Sequence, residues 1–463
     1  MFIGREKELE QLNKLYKKQD FNFIVMYGRR RVGKTTLLKE FCRDKRSIFF
    51  VSEEYNDKSA LEKFSKVIKE SLDEYEDNST FNSWEDAFKY IVAKIEKEKI
   101  VLILDEFQYL VNSNKSILSL IQNLIDHSLN NKKLYIVVCS SVISFMEEKV
   151  LSGKSPLFGR KTAEFYIKPL SFHNSIKFFK NYSNEDKVLV YSILGGIPLY
   201  LNQFSDSENV EENIKENFLT EISNLYSEPK NLLNLELRSP AVYNSIIEAI
   251  ATGSTKLNEI SSKVGEEKDK VYNYIMNLVD MHIVEKTYPI TEKVNTRKTI
   301  YKLSDNLFKF WYRFIFGNIS SIEKGMSDVV YNKKIKPYLL NYVGYIFEDI
   351  CIEYLVRKNV REELPITFDK IGKWWGNNSK TKQEEEIDIM ATSDEGIIFG
   401  ECKYKNEKVG IKELNKLKEG AELFEIQNKF YYLFSKTGFK EDLIEEEKKN
   451  KNIVLVDLNE VMQ

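Results

Sequence analysis

Short apolar runs alternate with segments of helical spacing over the first 170 residues of the chain. Runs rich in β-branched and aromatic residues are typical of strands that a sheet buries on both faces. Between the runs, apolar residues recur at helical intervals, as at Leu9, Leu12 and Leu15. The predicted strands are residues 23–27, 47–51, 100–104, 134–139 and 165–167. This alternation predicts a doubly wound parallel α/β sheet.

Beyond residue 170 the spacing becomes helical and stays so to about residue 235, which predicts a helical lid. Within it, Gly195 and Gly196 end one helix and Pro198 stands where the next begins. From residue 241 the pattern changes to three short helices and two strands, the outline of a winged helix-turn-helix. These elements are predicted near residues 246–250, 257–260, 271–280, 283–286 and 299–303.

Two features stand out in the last third of the chain. Aromatic residues between 305 and 316 recur at helical spacing, which favours a packed core over a surface for base stacking. Residues 387–391 and 397–404 predict two adjacent strands, joined by a turn at 393–396.

Composition narrows the classes of partner. The chain of 463 residues carries 69 Lys and Arg against 71 Asp and Glu, so any nucleic-acid contact must be local. Its four cysteines form no CxxC pair, which suits a reducing compartment, and three histidines are too dispersed for a zinc site. With no signal peptide and no apolar run of spanning length, we expect a soluble, cytoplasmic protein without a membrane partner.

A phosphate-binding loop follows the first predicted strand. Residues 28–35 fit G-x-x-x-x-G-K-[ST], in which the glycines let backbone N–H groups curl around phosphate oxygens. The helix behind the loop points its dipole at the anion, Lys34 neutralises β/γ charge, and Thr35 gives its hydroxyl to Mg²⁺. The predicted contacts are Gly28, Arg29, Arg30, Arg31, Val32, Gly33, Lys34, Thr35 and Thr36.

An acidic pair ends the strand predicted at residues 100–104. The carboxyl end of a parallel strand opens onto the ligand crevice, so Asp105 is predicted to hold the shell of Mg²⁺. Glu106, one residue later, is predicted to polarise a water molecule for attack on the γ-phosphate.

A second group of charged residues lies in the tail. Asp388 sits on one predicted strand, and Glu401 and Lys403, two residues apart, project from the same face of the next. With Glu348 on an upstream helix, the carboxylates are predicted to share a second divalent metal, with Lys403 activating water. A surface salt bridge is the alternative. Acidic runs at 384–386 and 445–447 would repel DNA.

The charges of the predicted winged helix leave its partner open. Its reading helix, around residues 266–277, mixes Glu266, Glu267 and Asp269 with lysines, a poor surface for phosphates. The wing, with Lys293, Arg297 and Lys298, is more basic. Contact with DNA and packing against another domain are both compatible with this pattern.

The motifs together resemble a known family. Residues 2–6, 27–35 and 104–108 resemble archaeal and bacterial AAA-type ATPases related to the STAND group. Residues 344–348, 371–375, 386–389 and 399–403 resemble their C-terminal DUF234 domain, with the D-x12-E-x-K spacing of PD-(D/E)XK nucleases. The resemblance implies a P-loop ATPase core at 1–170, a lid at 171–238, a winged helix at 239–318 and a restriction-endonuclease-like α/β domain at 319–463.

The resemblance also implies roles for single residues. Gly4 and Arg5 would lie near the adenine of ATP, and Ser140 or Ser141 would be the sensor beside the γ-phosphate. Arg160 would reach a phosphate across or within subunits, a task that suits a planar, permanently charged guanidinium; a solvated loop arginine is the alternative. The helix after Lys403 lacks the glutamine of fuller nuclease patterns, which weakens the expectation of cleavage.

Two functions follow as hypotheses. In the first, Mg²⁺-dependent ATP hydrolysis is coupled to the winged helix and the nuclease-like module, and the protein acts on DNA. In the second, the chain is an ATP-dependent signalling or transcription-regulatory switch with an inert nuclease-like tail. A protein partner or a homo-oligomer is compatible with either hypothesis.

Overall fold

The computed structural model describes residues 2–18, 20–72, 79–95, 99–129, 132–237, 239–293, 296–378 and 382–463. The chain divides into two compact units, Met1–Leu170 with Ile197–Leu199, and Ser171–Gly196 with Tyr200–Gln463. The predicted domain boundary at residue 238 lies outside the described residues, and the four-part division of the chain stays a prediction. No helix in the described ranges combines the length and the apolar character needed to cross a bilayer.

The first unit alternates strands and helices, as the apolar pattern predicts. Its elements are α1 (Glu6–Lys17), β1 (Asn22–Tyr27), α2 (Lys34–Cys42), β2 (Ser47–Val51), α3 (Asp57–Ser71), α4 (Trp84–Lys94), β3 (Ile100–Asp105), α5 (Phe107–Ser113), α6 (Ile117–Ser128), β4 (Leu134–Ser140), α7 (Ile143–Phe145) continuing into a π-helical turn (Met146–Leu151), and β5 (Ala163–Tyr166).

The strands of the first unit form one parallel sheet. In the described residues its order is β2-β3-β4-β1-β5, and every pairing is parallel. All residues of β1, β3 and β4 are buried, because helices cover both faces and each face has its own apolar core. The predicted parallel α/β sheet is therefore confirmed, and β4 separates the two strands that carry the predicted phosphate and acidic motifs.

The second unit begins with helices. They are α8 (Phe172–Ser175) with a 3-10 turn (Ile176–Phe178), α9 (Asn184–Leu194), α10 (Pro198–Leu201), whose first two residues belong to the first unit, α11 (Val210–Phe218), α12 (Asn224–Glu236), α13 (Pro240–Ala251), α14 (Leu257–Val264) and α15 (Lys268–Asp280). An antiparallel pair follows, β6 (Val284–Thr287) and β7 (Ile300–Leu303). The order of three helices and two strands is the predicted one; its assignment as a winged helix remains a proposal.

An aromatic helical stretch comes next. It comprises α16 (Asn306–Phe310), a π-helical segment (Trp311–Ile315), a 3-10 turn (Phe316–Asn318), α17 (Ile319–Glu323), α18 (Ser327–Val330), a second π-helical segment (Tyr331–Ile335) and a second 3-10 turn (Lys336–Tyr338). Phe308, Phe310, Trp311 and Tyr312 are fully buried. The core interpretation of this aromatic segment is confirmed.

The tail forms a mixed sheet. Its elements are α19 (Leu339–Val360), β8 (Lys370–Asn377), β9 (Glu384–Thr392), β10 (Ile397–Lys403), α20 (Ile411–Ala421), β11 (Lys429–Ser435), α21 (Glu441–Lys449), β12 (Ile453–Asp457) and α22 (Leu458–Val461). In the described residues the strand order is β12-β11-β10-β9-β8, with β8, β9 and β10 antiparallel and β10, β11 and β12 parallel. The predicted antiparallel pair of strands is confirmed.

One buried cation fixes the loop between β1 and α2. The guanidinium of Arg5, only 6% exposed, donates to the carbonyl of Val32 at 3.0 Å and to that of Lys168 at 2.5 Å. It also pairs with Glu8 at 3.1 Å. Arg5 therefore ties the loop after β1 to the segment after β5. This is a structural task that the resemblance does not predict; the adenine contact expected of Gly4 and Arg5 stays a prediction.

Replacing this guanidinium tests its structural task. We expect Arg5→Ala to lower the urea midpoint of the first unit by the equivalent of about 1–3 kcal/mol, because buried carbonyls lose their donor. Arg43→Ala is the matched control, since Arg43 is exposed and pairs with Glu40 on the surface at 3.5 Å. Equal midpoints for the two variants would show that Arg5 does not anchor the loop.

Candidate functional site

The loop between β1 and α2 curls because of its backbone conformation. Gly33 and Arg31 both adopt left-handed conformations, with φ of 96° and 71°. A Cβ at Gly28 would overlap the carbonyl oxygen of Ile167, so only glycine fits where β1 leaves the sheet. Gly33 is also the N-cap of α2 and has no side chain to occupy the first N–H groups of that helix. The loop and the helix together form a cradle of backbone donors for an anion.

The side chain of Lys34 lies inside this loop. Its side chain is buried, with the residue 5% exposed, and its ammonium donates to the carbonyls of Gly28 at 2.7 Å and Arg29 at 3.0 Å. Burial lowers the pKa of Lys34. Carbonyl groups of the loop thus accept the hydrogen bonds of the ammonium. An anion of higher charge density can take their place as the acceptor.

Thr35 and Asp105 meet across the end of β4. The hydroxyl of Thr35 donates to Asp105 Oδ2 at 2.7 Å, and the backbone N–H of Glu106 donates to Asp105 Oδ1 at 3.0 Å. Asp105 is 1% exposed. A hydroxyl and a carboxylate side by side are hard oxygen ligands of the kind that Mg²⁺ takes beside nucleotide phosphates. The residues present therefore fit a magnesium nucleotide.

Glu106 is held by a network at the ends of β3 and β4. It is the left-handed N-cap of α5, with φ of 50°, and its carboxylate accepts from Ser141 Oγ at 2.7 Å and Gln108 Nε2 at 2.7 Å. Ser140 Oγ donates in turn to Gln108 Oε1 at 2.6 Å. Burial acts to raise the pKa of Glu106, but these hydrogen bonds, with Lys34 and Arg30, outweigh it and the pKa is lowered. The carboxylate is thus kept charged and oriented.

The structure separates the two serines that the resemblance treats as alternatives. Ser141 contacts the Glu106 carboxylate directly, whereas Ser140 acts on it through Gln108. Sequence reasoning assigned no role to Gln108. The available signal was its position two residues after the acidic pair, at the start of a helix.

Two arginines have side-chain partners of their own. Arg160 forms a bidentate pair with Asp126, with nitrogen–oxygen distances of 2.8 and 2.7 Å. Arg30 donates to the hydroxyl of Tyr109 at 3.2 Å. In this conformation the guanidinium of Arg160 is committed to Asp126, and its expected contact with a phosphate stays a prediction.

The second unit brings its predicted charged residues together. Asp388 on β9 accepts from the backbone N–H of Cys402 at 2.8 Å, and Lys403 pairs with Glu401 on β10. Burial raises the pKa of Glu348, on α19, to about 7; Lys373 opposes this rise and Asp388 adds to it. Burial and then Asp388 raise the pKa of Glu401. Asp388 is therefore close enough to repel both Glu348 and Glu401.

Lys373 is the member of this cluster that sequence reasoning missed. Its ammonium pairs with Glu348 and lies 3.8 Å from Asp349. The available signal was a lysine directly before two tryptophans, in the segment that forms β8. In the described ranges, no group of three or more His, Cys, Asp or Glu is arranged to hold a metal. The second divalent metal that the nuclease-like spacing predicts gains no support from this search and stays a prediction.

Comparisons with known proteins agree with this geometry. Residues 2–204 match the family described as an ATPase domain predominantly from Archaea, and residues 311–417 match DUF234, described as archaeal and bacterial proteins of unknown function. The uncharacterized protein MJECL04 of Methanocaldococcus jannaschii is 35% identical over 414 residues, 88% of each chain. The uncharacterized ATP-binding protein MJ0423 of the same organism is 48% identical over 46 residues, 10% of this chain and 78% of that protein.

A solved structure shares the fold. The Walker-type ATPase PABY2304 of Pyrococcus abyssi superposes with a TM-score of 0.51 at 20% identity, over 67% of this chain and 96% of that one. The parallel sheet with its curled loop is therefore the fold of a P-loop ATPase. The chain belongs to the family of archaeal ATPases that carry a DUF234 domain behind the ATPase domain.

Proposed function

We propose that the first unit binds ATP with Mg²⁺ and hydrolyses it, with Glu106 as the general base. The observation that carries the proposal is the Glu106 carboxylate, charged and fixed by Ser141 and Gln108 at the strand end beside the Thr35–Asp105 pair. Backbone N–H groups of the loop and Lys34 would hold the phosphates, and Thr35 and Asp105 would hold Mg²⁺. Bound in this way, the metal and Lys34 offset charge that develops on the γ-phosphoryl oxygens.

Glu106 performs the proton transfer in this proposal. A carboxylate with a lowered pKa stays ionised at neutral pH and accepts a proton from the attacking water. The hydrogen bonds from Ser141 and Gln108 fix its direction, so less reorganisation is needed when the water reacts.

Two substitutions separate nucleotide binding from hydrolysis. We expect Lys34→Ala to abolish ATP binding in calorimetry, because the buried ammonium is lost from the loop. We expect Glu106→Gln to bind ATP as the wild type does and to lower kcat by about 10²–10⁴-fold, the usual contribution of a general base. A Glu106→Gln protein that hydrolyses ATP at the wild-type rate would remove Glu106 from the role of base.

The Ser141 hydroxyl should set the acid limb of the pH profile. Its hydrogen bond stabilises the charged form of Glu106, so Ser141→Ala should raise the pKa of Glu106. The acid limb of kcat against pH should then move to higher pH by about one to two units, since a hydrogen bond to a charged group is worth about 1.5–3 kcal/mol. Ser141→Thr keeps a hydroxyl and should restore the wild-type profile; unchanged profiles in both variants would exclude this coupling.

For the second unit we favour the regulatory switch over the nuclease. The specific observation is that ammonium groups already pair with Glu348 and Glu401, where a metal-dependent nuclease needs ligands for its ion. The three helices and the hairpin offer limited support for DNA contact, because Lys270 pairs with Glu266 and Lys298 with Glu292. Nucleotide turnover would then act on a partner bound by the second unit, rather than on a scissile phosphate.

A cleavage assay decides between these functions. We expect the full chain, with ATP and either Mg²⁺ or Mn²⁺, to leave single-stranded and duplex DNA intact, because lysines already pair with Glu348 and Glu401. Asp388→Ala is the control for contaminating nucleases, whose activity it cannot change. Cleavage by the wild type that disappears in Asp388→Ala would establish the nuclease instead.

A further inference from the structure

A bulge in the mixed sheet brings Lys373 to the charged cluster. Gly372 pairs with Met390 and Trp374 pairs with Ile387, so Asp388 and Ile389 on β9 together face Lys373 on β8. A bulge of this kind redirects side chains relative to a regular ladder and is common next to functional sites. The irregular register therefore places a lysine of β8 beside the aspartate that the nuclease-like spacing singles out.

Lysines of the chain itself pair with carboxylates of this cluster. Lys373 has a side chain 11% exposed, pairs with Glu348 and lies near Asp349, both on α19. Lys403 pairs with Glu401, whose side chain is 6% exposed. Asp388 accepts a backbone N–H. Two ammonium groups thus stand among four carboxylates, and Glu348, Asp388 and Glu401 each already have a donor.

The ATPase site of the same chain shows a different arrangement. There the ammonium of Lys34 bonds to backbone carbonyls, while the Asp105 carboxylate bonds to a hydroxyl and to a backbone N–H. A hydroxyl can join a carboxylate as a ligand, whereas an ammonium group repels a cation and cannot bind it. The two sites therefore differ in the partner of the lysine ammonium, which is a backbone carbonyl in the ATPase site and a carboxylate in the cluster.

We propose that Lys373 is the resident cation of the Glu348–Asp388–Glu401 cluster, and that the wild-type cluster binds no divalent metal. The lysine faces Asp388 across the bulge and joins β8 to α19 by charge pairing with Glu348. This inference goes beyond ATP hydrolysis in the first unit and accounts for the inert tail of the proposed switch.

Access does not explain the absence of metal binding in this proposal. Glu348 and Lys373 both line a cavity of about 1320 Å³ within the second unit, bounded also by residues of β7, α16 and the chain before β8. A hydrated ion is small beside a space of this size, so an ion can reach Glu348, the member of the cluster that lines the cavity. Whether it binds is then decided by the charge already present.

Manganese binding to the nucleotide-free full chain, followed by electron paramagnetic resonance, tests the proposal. We expect the wild type and Asp388→Asn to bind the same number of Mn²⁺ ions. Lys373→Met, which keeps the length of the side chain without its charge, should gain one site with at least tenfold higher affinity than the wild-type cluster shows. Adding Asp388→Asn to Lys373→Met should remove that site. Lys373→Arg, which keeps the charge, should behave as the wild type.

Two results would overturn the proposal. One is an Asp388→Asn chain that binds one Mn²⁺ ion fewer than the wild type, because the wild-type cluster would then hold a metal. This comparison stands even when Lys373→Met does not fold, as circular dichroism would reveal. The other is a folded Lys373→Met chain that gains no site. ATP hydrolysis by the same preparations is measured separately, so a failure of the ATPase proposal is distinguished from a failure of this one.

Discussion

The ATPase site depends on the insertion of β4 between β1 and β3. Neighbouring strands lie about 4.8 Å apart, so the strands that carry the phosphate loop and Asp105 are separated by about 10 Å. This gap is wide enough for a phosphate and an ion, and α2 narrows it by placing Thr35 within 2.7 Å of Asp105. The strand in the gap ends at Ser140 and Ser141 follows it, so hydroxyl groups stand at the carboxyl end of this strand, beside the Glu106 carboxylate.

Among the described residues of the first unit, the two non-glycine residues with positive φ both lie at this edge of the sheet. Arg31 and Glu106 adopt left-handed conformations that cost non-glycine residues about 1–3 kcal/mol each. The packing of the buried strands on either side offsets this conformational free energy, because the strands fix where each loop starts. Glu106 is the single residue between the end of β3 and the start of α5. Its left-handed conformation also directs its carboxylate toward Ser141. Strain and function coincide here, because a regular continuation of the strand would direct the side chain elsewhere.

The strands of the first sheet could be predicted from sequence because burial on both faces makes each strand a continuous apolar run. The order of these strands in the sheet could not be predicted, because the apolar runs resemble one another. No local feature of the sequence indicates that β4 lies beside β1. The same limit applies to Gln108 and Arg5, because they bond to residues far away in the chain. Lys373 depends on a register shift between β8 and β9, and a single-residue shift leaves no local trace in the sequence.

The two charged sites show how far residue type alone determines chemistry. Both contain aspartate, glutamate and lysine at the ends or edges of strands, and both fit short motifs. In the first, the lysine is turned to carbonyl groups of its own loop, so the nearby carboxylates carry charge that an incoming cation can use. In the second, the lysines are turned to the carboxylates themselves. Since Coulomb energies fall with distance, our proposal makes contact between lysine and carboxylate the factor that closes a site to an ion, and for Lys373 that contact follows from the backbone register of β8 and β9.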